Sequence, residues 1–492
     1  MIMNLLIYIP TSLNNPEFEI LMSKAQNFLD QKKNVTILTC SGGKNYSCSI
    51  NLYSNLSICY LCNKYKNNSF KKLTGDFKII KTNKLYYKKY LFLNYKKLKS
   101  YKFEDIDIGL ASYSSYVANT KDHLLQGNIA KEIVSRNVNT TIELYKFFKE
   151  ILSQKKYDLI YIYNGRQNQY RPLFRLSIKK KIKVIILEYR GPNYKNVYEY
   201  INHLPTDYNY QSYRINKLYK NLKLSKNVKN KIVNYYYKSL RVGKKIQDRV
   251  SYIKNQKYNL LPQGYNKKEN NVVIFNSSED EYAALGEIYD KTLYKSQTEA
   301  IDKICESLKF KNLSKIKLWL RVHPNLKKVK WPYINDFYKL EKKYSFLKII
   351  SGKSKISSYA LLFNCKKIIT FGSNMGIEAV YYRIPAILLN RIPYENLNCQ
   401  YVPKSHKQVI QFIEKNIKPR SVVGAEKYAL FKMCGGRELK GFKGNYESGF
   451  FFHNKSIKKK LFDNVLYYVA RLIDKLVYLN LRNIGIKRFL DY

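Results

Sequence analysis

Asn4-Leu5-Leu6-Ile7-Tyr8-Ile9-Pro10 is a short apolar run stopped by proline, and a helical stretch to about Gln31 leads from it to a second run, Val35 to Cys40. That is β-α-β. Further along, a Cys-bearing segment and a Lys/Tyr-rich stretch precede a long helical region, about Asp122 to Leu152. The run Leu159 to Tyr163, a helix from about Gln169 and the run Val184 to Leu187 follow. Short apolar strands alternating with helices predict a parallel sheet covered on both faces.

From about Asn193 to Lys268 the pattern dissolves into Tyr, Asn and Lys with helical fragments, which predicts a connector. Alternation then resumes. The strand runs are Val272 to Phe275, Ile316 to Val322, Leu347 to Ile350, Lys367 to Phe371 and Pro385 to Leu389, with helical stretches between them. The predicted division is a Rossmann-like domain at 1–195 with a Cys-bearing insert at 40–62, a helical connector at 196–268, a second Rossmann-like domain at 269–420 and a basic helical tail at 421–492. In that tail Leu461, Val465, Leu466, Val469, Leu472, Ile473, Leu476 and Val477 recur by threes and fours between Lys455 to Lys460 and Arg482 to Arg488, the pattern of a basic amphipathic helix.

The 492 residues are 45% apolar and 15% aromatic, enough for two to four domains with real cores, which excludes disorder and a small disulfide-stapled scaffold. Lys plus Arg number 89 against 36 Asp plus Glu, a net charge of +53 that favours anionic partners: nucleic acid, anionic lipid or phosphate-bearing substrates. Lys, Asn, Ile and the 48 Tyr are raised together, so a coding bias toward A and T competes with selection for binding. No zinc finger, aromatic RNP pattern or helix-turn-helix accompanies the charge, and nucleic acid is therefore disfavoured as a partner. No apolar run reaches the roughly 18 residues of a membrane span and the first ten residues lack signal-peptide character, so the expectation is a cytoplasmic protein with reduced or metal-bound Cys.

Two facing α/β domains bind ligands where strand ends and helix N-termini converge, so the motifs are sought there. Arg321-Val322-His323-Pro324 closes a strand and presents a guanidinium and an imidazole to an anion, or else is a packed His beside a turn proline. In Thr370-Phe371-Gly372-Ser373-Asn374-Met375-Gly376-Ile377-Glu378 a strand passes through a glycine turn directly into a helix. Gly372 permits close approach and Ser373 or Asn374 adds polar groups, a phosphate cradle or a plain helix cap; Glu378 would favour the helix dipole or reach a ligand hydroxyl.

Glu188-Tyr189-Arg190-Gly191 ends another strand, where Glu188 could take a proton from an attacking hydroxyl or pair with Arg190 or a lysine. Arg166, Arg171 and Arg175, with Arg171 and Arg175 one turn apart, would hold an anionic acceptor or form a solvated face. Asn276, Ser277 and Ser278 follow the strand that ends at Phe275, and Ser278-x-x-Glu281 reads as a capping box beside a candidate sugar contact. Cys40, Cys48, Cys59 and Cys62 fall within 23 residues and suit either a structural zinc site or buried free thiols.

Taken in order, these segments resemble the bacterial capsule and surface polysaccharide glycosyltransferases of the two-domain GT-B type. The residues that carry the likeness are Leu5 to Pro10, the Cys segment, Asn164 to Arg166 with Arg171-Pro172, Glu188 to Gly191, Ile274 to Tyr282, Arg321 to Pro324, Lys355 to Ala360 and Phe371 to Ala379. It covers about residues 1 to 415. The acid, His-Pro and Ser order is also similar to that of transferases using CMP-activated Kdo or sialic acid.

The resemblance implies a GT-B-like α/β fold, two Rossmann-like parallel-sheet domains facing a cleft, and transfer of a sugar from a nucleotide-sugar donor to a surface polysaccharide or lipid-linked glycan. It implies Glu188 as general base and His323 with Ser373 on the donor phosphate; the motifs add Arg321, Pro324, Gly372, Asn374, Glu378, Asn276, Ser277 and Ser278 around the donor and Arg166, Arg171, Arg175 and Arg190 toward the acceptor. The donor is CMP-, UDP- or GDP-linked, and the arrangement requires no cofactor or divalent metal. The tail lies outside the resemblance; its amphipathic helix and the excess of Lys give the expectation that it holds the protein peripherally on the inner face of the cytoplasmic membrane through anionic lipid. The alternatives are a nucleotide-sugar epimerase of similar shape and a non-catalytic protein that binds anionic polymers.

Overall fold

The computed structural model describes residues 3–480 apart from 44, 45, 84, 93, 128, 192–195, 245, 247–250, 312, 314, 330 and 457–460. Two α/β units divide the chain, 1–205 with 436–492 and 206–435.

The first unit holds β1 (Asn4–Ile9), β2 (Asn34–Thr39), β3 (Phe77–Lys81), β4 (Leu159–Tyr163), β5 (Lys183–Tyr189) and β6 (Val197–Ile201) in the order β3-β2-β1-β4-β5-β6. All neighbours are parallel except β6, which runs against β5 with Tyr198 opposite Glu188. The central strands are apolar throughout because helices cover both faces; Leu5, Leu6, Ile7, Ile37 and Ile160 are fully buried. Neither β3 nor β6 was foreseen. β3 is an edge strand with mostly exposed Lys-rich positions, and β6 sits in a Tyr-rich run, so neither has the apolar signature of a central strand.

The second unit holds β7 (Asn270–Phe275), β8 (Ile316–Arg321), β9 (Leu347–Ile350), β10 (Lys367–Thr370) and β11 (Ala386–Leu388), all parallel, in the order β11-β10-β7-β8-β9. Strand order reverses between β7 and β10. At such a switch point the following loops diverge to opposite faces and leave a crevice at the carboxyl ends.

Two predicted boundaries differ from the structure. The span read as a connector contains the helices Tyr208–Asn221 and Lys226–Arg241, which are built into the second unit: Tyr237 Oη donates to Ala425 O at 2.9 Å and Ser212 Oγ to Pro393 O at 2.8 Å. Their buried positions include Tyr236 and Tyr237, whose polar tips make a core face read as surface. The span read as a tail is divided between the units. The helix Val423–Cys434 belongs to the second, whereas β12 (Phe442–Asn445), β13 (Gly449–Phe452) and β14 (Lys455–Ser456) form an antiparallel sheet whose Phe442, Phe450 and Phe452 enter the core of the first. The amphipathic helix is present at Leu461–Asn480. No described helix is long and apolar enough to cross a membrane.

Candidate functional site

The crevice of the second unit is a cavity of about 350 Å³ at the carboxyl ends of β7, β8 and β10. Asn276, Ser277, Glu281, Arg321, His323, Pro324, Gly372, Ser373, Asn374 and Glu378 line it, together with Lys244, Tyr252, Gln256, Ser358 and Tyr359.

After β7, Asn276 is 1% exposed and its Oδ1 accepts from His323 N at 2.7 Å, tying the ends of β7 and β8 together. Its buried Nδ2 has no hydrogen-bond partner. Such an atom costs about 1–3 kcal/mol unless something accepts from it. Ser277 instead joins the crevice walls, its Oγ donating to Phe371 O and its N–H to Gln297 Oε1. Ser278 lies outside the lining, its hydroxyl on Asp280, and the capping box does not form: the helix Asp280–Ala283 has Glu279 at its N-cap with no side-chain cap bond.

Pro324 starts a 3₁₀ turn after β8, and His323 Nδ1 accepts from Asn325 N at 3.1 Å. That bond assigns the proton of a neutral ring to Nε2, making it a donor. Tyr252 packs edge-on against this imidazole, ring centroids 5.3 Å apart. Arg321 lines the crevice, and its buried Nε has no hydrogen-bond partner. Its guanidinium is turned onto the carbonyls of Ser351 and Ser354, and burial pulls it down to about 10. It braces the loop after β9.

After β10, Gly372 has φ +82° and Tyr282 Oη donates to its carbonyl at 2.8 Å; a Cβ there would meet that hydroxyl at 2.4 Å, so glycine is required. The simple cap reading is not realised, since Asn374 makes no side-chain cap bond; its Oδ1 accepts from Tyr428 Oη at 3.3 Å. Ser373 Oγ accepts from Met375 N at a long 3.4 Å, and its carbonyl is held by Tyr394 Oη at 2.6 Å. Among the described residues the N–H groups of Gly372, Ser373 and Asn374 donate to none. Glu378 is 5% exposed and accepts from Tyr359 Oη.

In the first unit Glu188 ends β5 and its Oε1 accepts from Asn164 Nδ2 at 2.8 Å. Arg166 lies on the turn after β4, its N–H on Asn164 Oδ1 at 3.2 Å, and Arg190 is 3% exposed with its N–H on Asn196 O at 2.9 Å. Arg171 and Arg175 do converge, but on a carboxylate of their own chain. Arg171 Nε lies 3.1 Å from both Asp107 oxygens and Arg175 Nη2 lies 2.8 Å from Oδ2, which corrects the acceptor assignment. Burial works against ionisation of Asp107, yet Arg171 and then Arg175 hold its carboxyl below the usual range.

Glu17 was not foreseen. It opens the helix Glu17–Leu29 after β1, at the same carboxyl end of the sheet as Glu188, is 1% exposed, and has one oxygen on Asn14 Nδ2 at 2.8 Å while the other has no partner. Burial pushes its carboxyl well up against the lowering effect of Asn14, and Glu188 raises it further. A lone Glu after Pro16 reads as a helix first-turn acid, so sequence carried no signal of this.

Cys40, Cys48, Cys59 and Cys62 do gather, with Lys66, around a small void of about 20 Å³. Three of the thiols engage locally: Gly42 N donates to Cys40 Sγ at 3.0 Å, Asn51 Nδ2 to Cys59 Sγ at 3.2 Å and Ser12 N to Cys62 Sγ at 3.4 Å. Among the described residues no three His, Cys, Asp or Glu side chains converge as metal ligands. Burial pushes Cys40 up to about 11 and raises Cys48 and Cys59.

Residues 192–397 match the family of capsule polysaccharide biosynthesis proteins. The span is under half the chain but contains every residue that lines the crevice, so the capsule-family resemblance holds over the candidate site. No curated protein matches the chain significantly. Among solved structures, the chain is similar to a β-Kdo 2,4 transferase, KpsC of Thermosulfurimonas dismutans, at 14% identity over 56% of this chain and 79% of that one, TM-score 0.35. The β-Kdo 2,7 transferase of the same protein aligns at 12% identity over 58% and 79%, TM-score 0.33. A UDP-GlcNAc 2-epimerase from Methanocaldococcus jannaschii, in complex with UDP-GlcNAc and UDP, aligns at 15% identity over 88% and 100%, TM-score 0.28. Scores this low do not choose between transferase and epimerase.

Proposed function

We propose that the protein transfers a sugar from a nucleotide-sugar donor to a capsule or other surface polysaccharide, or to a lipid-linked glycan precursor, at the inner face of the cytoplasmic membrane. The observation that carries this is the donor set of the second-unit crevice. The backbone N–H groups of Gly372, Ser373 and Asn374 and the buried Nδ2 of Asn276 belong to residues that line one cavity together with His323, inside the span matched by the capsule polysaccharide family. Neutral, pre-positioned donors of this kind suit a phosphate whose charge grows as it departs, the largest catalytic term in such reactions. Glu378 would take a hydroxyl of the donor.

The resemblance supplies Glu188 as the residue that would take the acceptor's O–H proton. The new C–O bond forms at the anomeric carbon as the bond to the phosphate oxygen breaks, and its electron pair leaves on the nucleotide. The crevice donors take up that charge, so the chemistry asks for no divalent cation. The base of the nucleotide stays open among CMP, UDP and GDP.

The test is thermal denaturation with CMP-, UDP- and GDP-sugars, with His323→Ala alongside. A ligand that binds the folded form alone raises Tm, and the substitution should remove the rise. Product analysis with donor alone then separates the rivals: conversion to an epimerised nucleotide sugar would replace the transferase by an epimerase. Salt-sensitive binding of polyanions, with no Tm response to any nucleotide sugar, would leave only a binding protein.

A further inference from the structure

The helix Leu461–Asn480 lies against the helix Leu56–Phe70 and is held at both ends. Lys64 Nζ and Tyr65 Oη each donate to the Asp463 carboxylate at 2.7 Å, while Asn55 Nδ2 donates to Asp474 Oδ1 at 2.6 Å and to Ala470 O at 3.1 Å. The two helices therefore run antiparallel. Asp463 and Asp474 are the only acids of the later helix and both are turned inward, 3% and 6% exposed.

What remains outward is apolar. Val465, Tyr468, Val469, Leu472 and Ile473 are between 44% and 72% exposed. Tyr60, 62% exposed and one turn before Lys64 on the same face of the neighbouring helix, continues the stripe, and that helix contains no Asp or Glu. Large apolar side chains scattered singly need no explanation, but a contiguous row on one helix does. The sequence on either side is cationic, with Lys455, Lys458, Lys459 and Lys460 before the helix and Arg482, Lys487 and Arg488 after it.

We infer that this face docks on an anionic lipid bilayer, its apolar row entering the interface and the flanking cations meeting the headgroups. An outward face stripped of acids, on a helix whose flanking sequence is cationic, is complementary to a negative surface. The same charges oppose pairing with a second copy, which would bring like clusters together. The inference deepens the membrane-side placement proposed above by naming the surface, but it does not depend on the chemistry of the crevice.

The test sediments the full chain with vesicles of phosphatidylcholine alone and of phosphatidylcholine mixed with phosphatidylglycerol, at low and high salt. The wild type should partition onto the mixed vesicles, less so at high salt, and little onto the neutral ones. Val465→Asp with Leu472→Asp should weaken partitioning by at least about tenfold, because each carboxylate replaces an apolar group that would leave water. Both sites are exposed, so Tm and any nucleotide-sugar response should not change. Should Tm fall, Tyr60→Ser on the other helix serves instead, with a smaller loss expected. Equal partitioning onto neutral vesicles, or unchanged binding by the variants, overturns the inference. So does a dimer in solution that the double variant dissolves, which would assign the face to a second copy.

Discussion

His323 and Asn276 are joined through the His323 N–H and the Asn276 Oδ1 at 2.7 Å, so the strand end that carries the imidazole is held by the same amide that offers its unpaired Nδ2 to the crevice. Asn276→Asp keeps the acceptor and replaces the donor with a carboxylate. It should remove any nucleotide-sugar rise in Tm and also lower intrinsic stability, because it buries a carboxylate with one N–H partner, whereas Asn276→Ala should cost about 1–3 kcal/mol by orphaning the His323 N–H. Urea unfolding with and without donor checks both; an undiminished Tm rise in Asn276→Asp counts against a phosphate at this position.

Gly372→Ala should destabilise by about 1–3 kcal/mol, since its positive φ and the Tyr282 hydroxyl both exclude a methyl group. In a Tyr282→Phe background the same substitution should cost less, because the hydroxyl at 2.4 Å is gone, while the ring carbon at 2.9 Å and the Arg391 carbonyl at 3.1 Å remain. Equal costs in both backgrounds, read from urea midpoints, would place the whole effect in the backbone.

Asp107→Asn should cost roughly 3 kcal/mol, because Arg171 is 2% exposed and would lose its counter-charge. The folded carboxyl lies below its unfolded value of about 4, so its contribution is present above that pH and lost as pH falls through the depressed range. Wild-type Tm should therefore approach that of Asp107→Asn on acidification, and parallel Tm curves would show that Asp107 is not the group lost.

Glu17→Gln tests the opposite sign. Its folded carboxyl is raised, so the stability it contributes is complete below the unfolded pKa of about 4 and is lost as pH climbs toward the folded value. The amide cannot ionise. From pH 4 upward the wild type should lose Tm relative to Glu17→Gln, measured by calorimetry, and a difference independent of pH contradicts the assignment.

The four clustered thiols should resist an aqueous thiol reagent until the protein unfolds, since burial keeps Cys40 and Cys48 protonated. Purified protein should also hold no stoichiometric zinc by elemental analysis. Zinc at one equivalent, released together with reactive thiols, would restore the metal reading.

Sequence alone determined the central strands and the strand ends that line the crevice of the second unit. Strands such as Leu5 to Ile9 and Val272 to Phe275 are buried on both faces and must be apolar throughout, and a strand entering a helix through Gly372 leaves N–H groups without partners wherever it occurs. Tertiary structure decided what each side chain there meets. Arg171 and Arg321 look like ligand contacts along the chain, but Asp107 lies 64 residues from Arg171, and the carbonyls that hold Arg321 come from the loop after β9. Glu17 became notable only when the carboxyl ends of β1 and β5 came together in one sheet, and residues 436–480 joined the first unit because Phe442, Phe450 and Phe452 found a core drawn from residues 5–197. Periodicity records that a side chain is buried, but its partner is set by long-range packing, which no local pattern encodes.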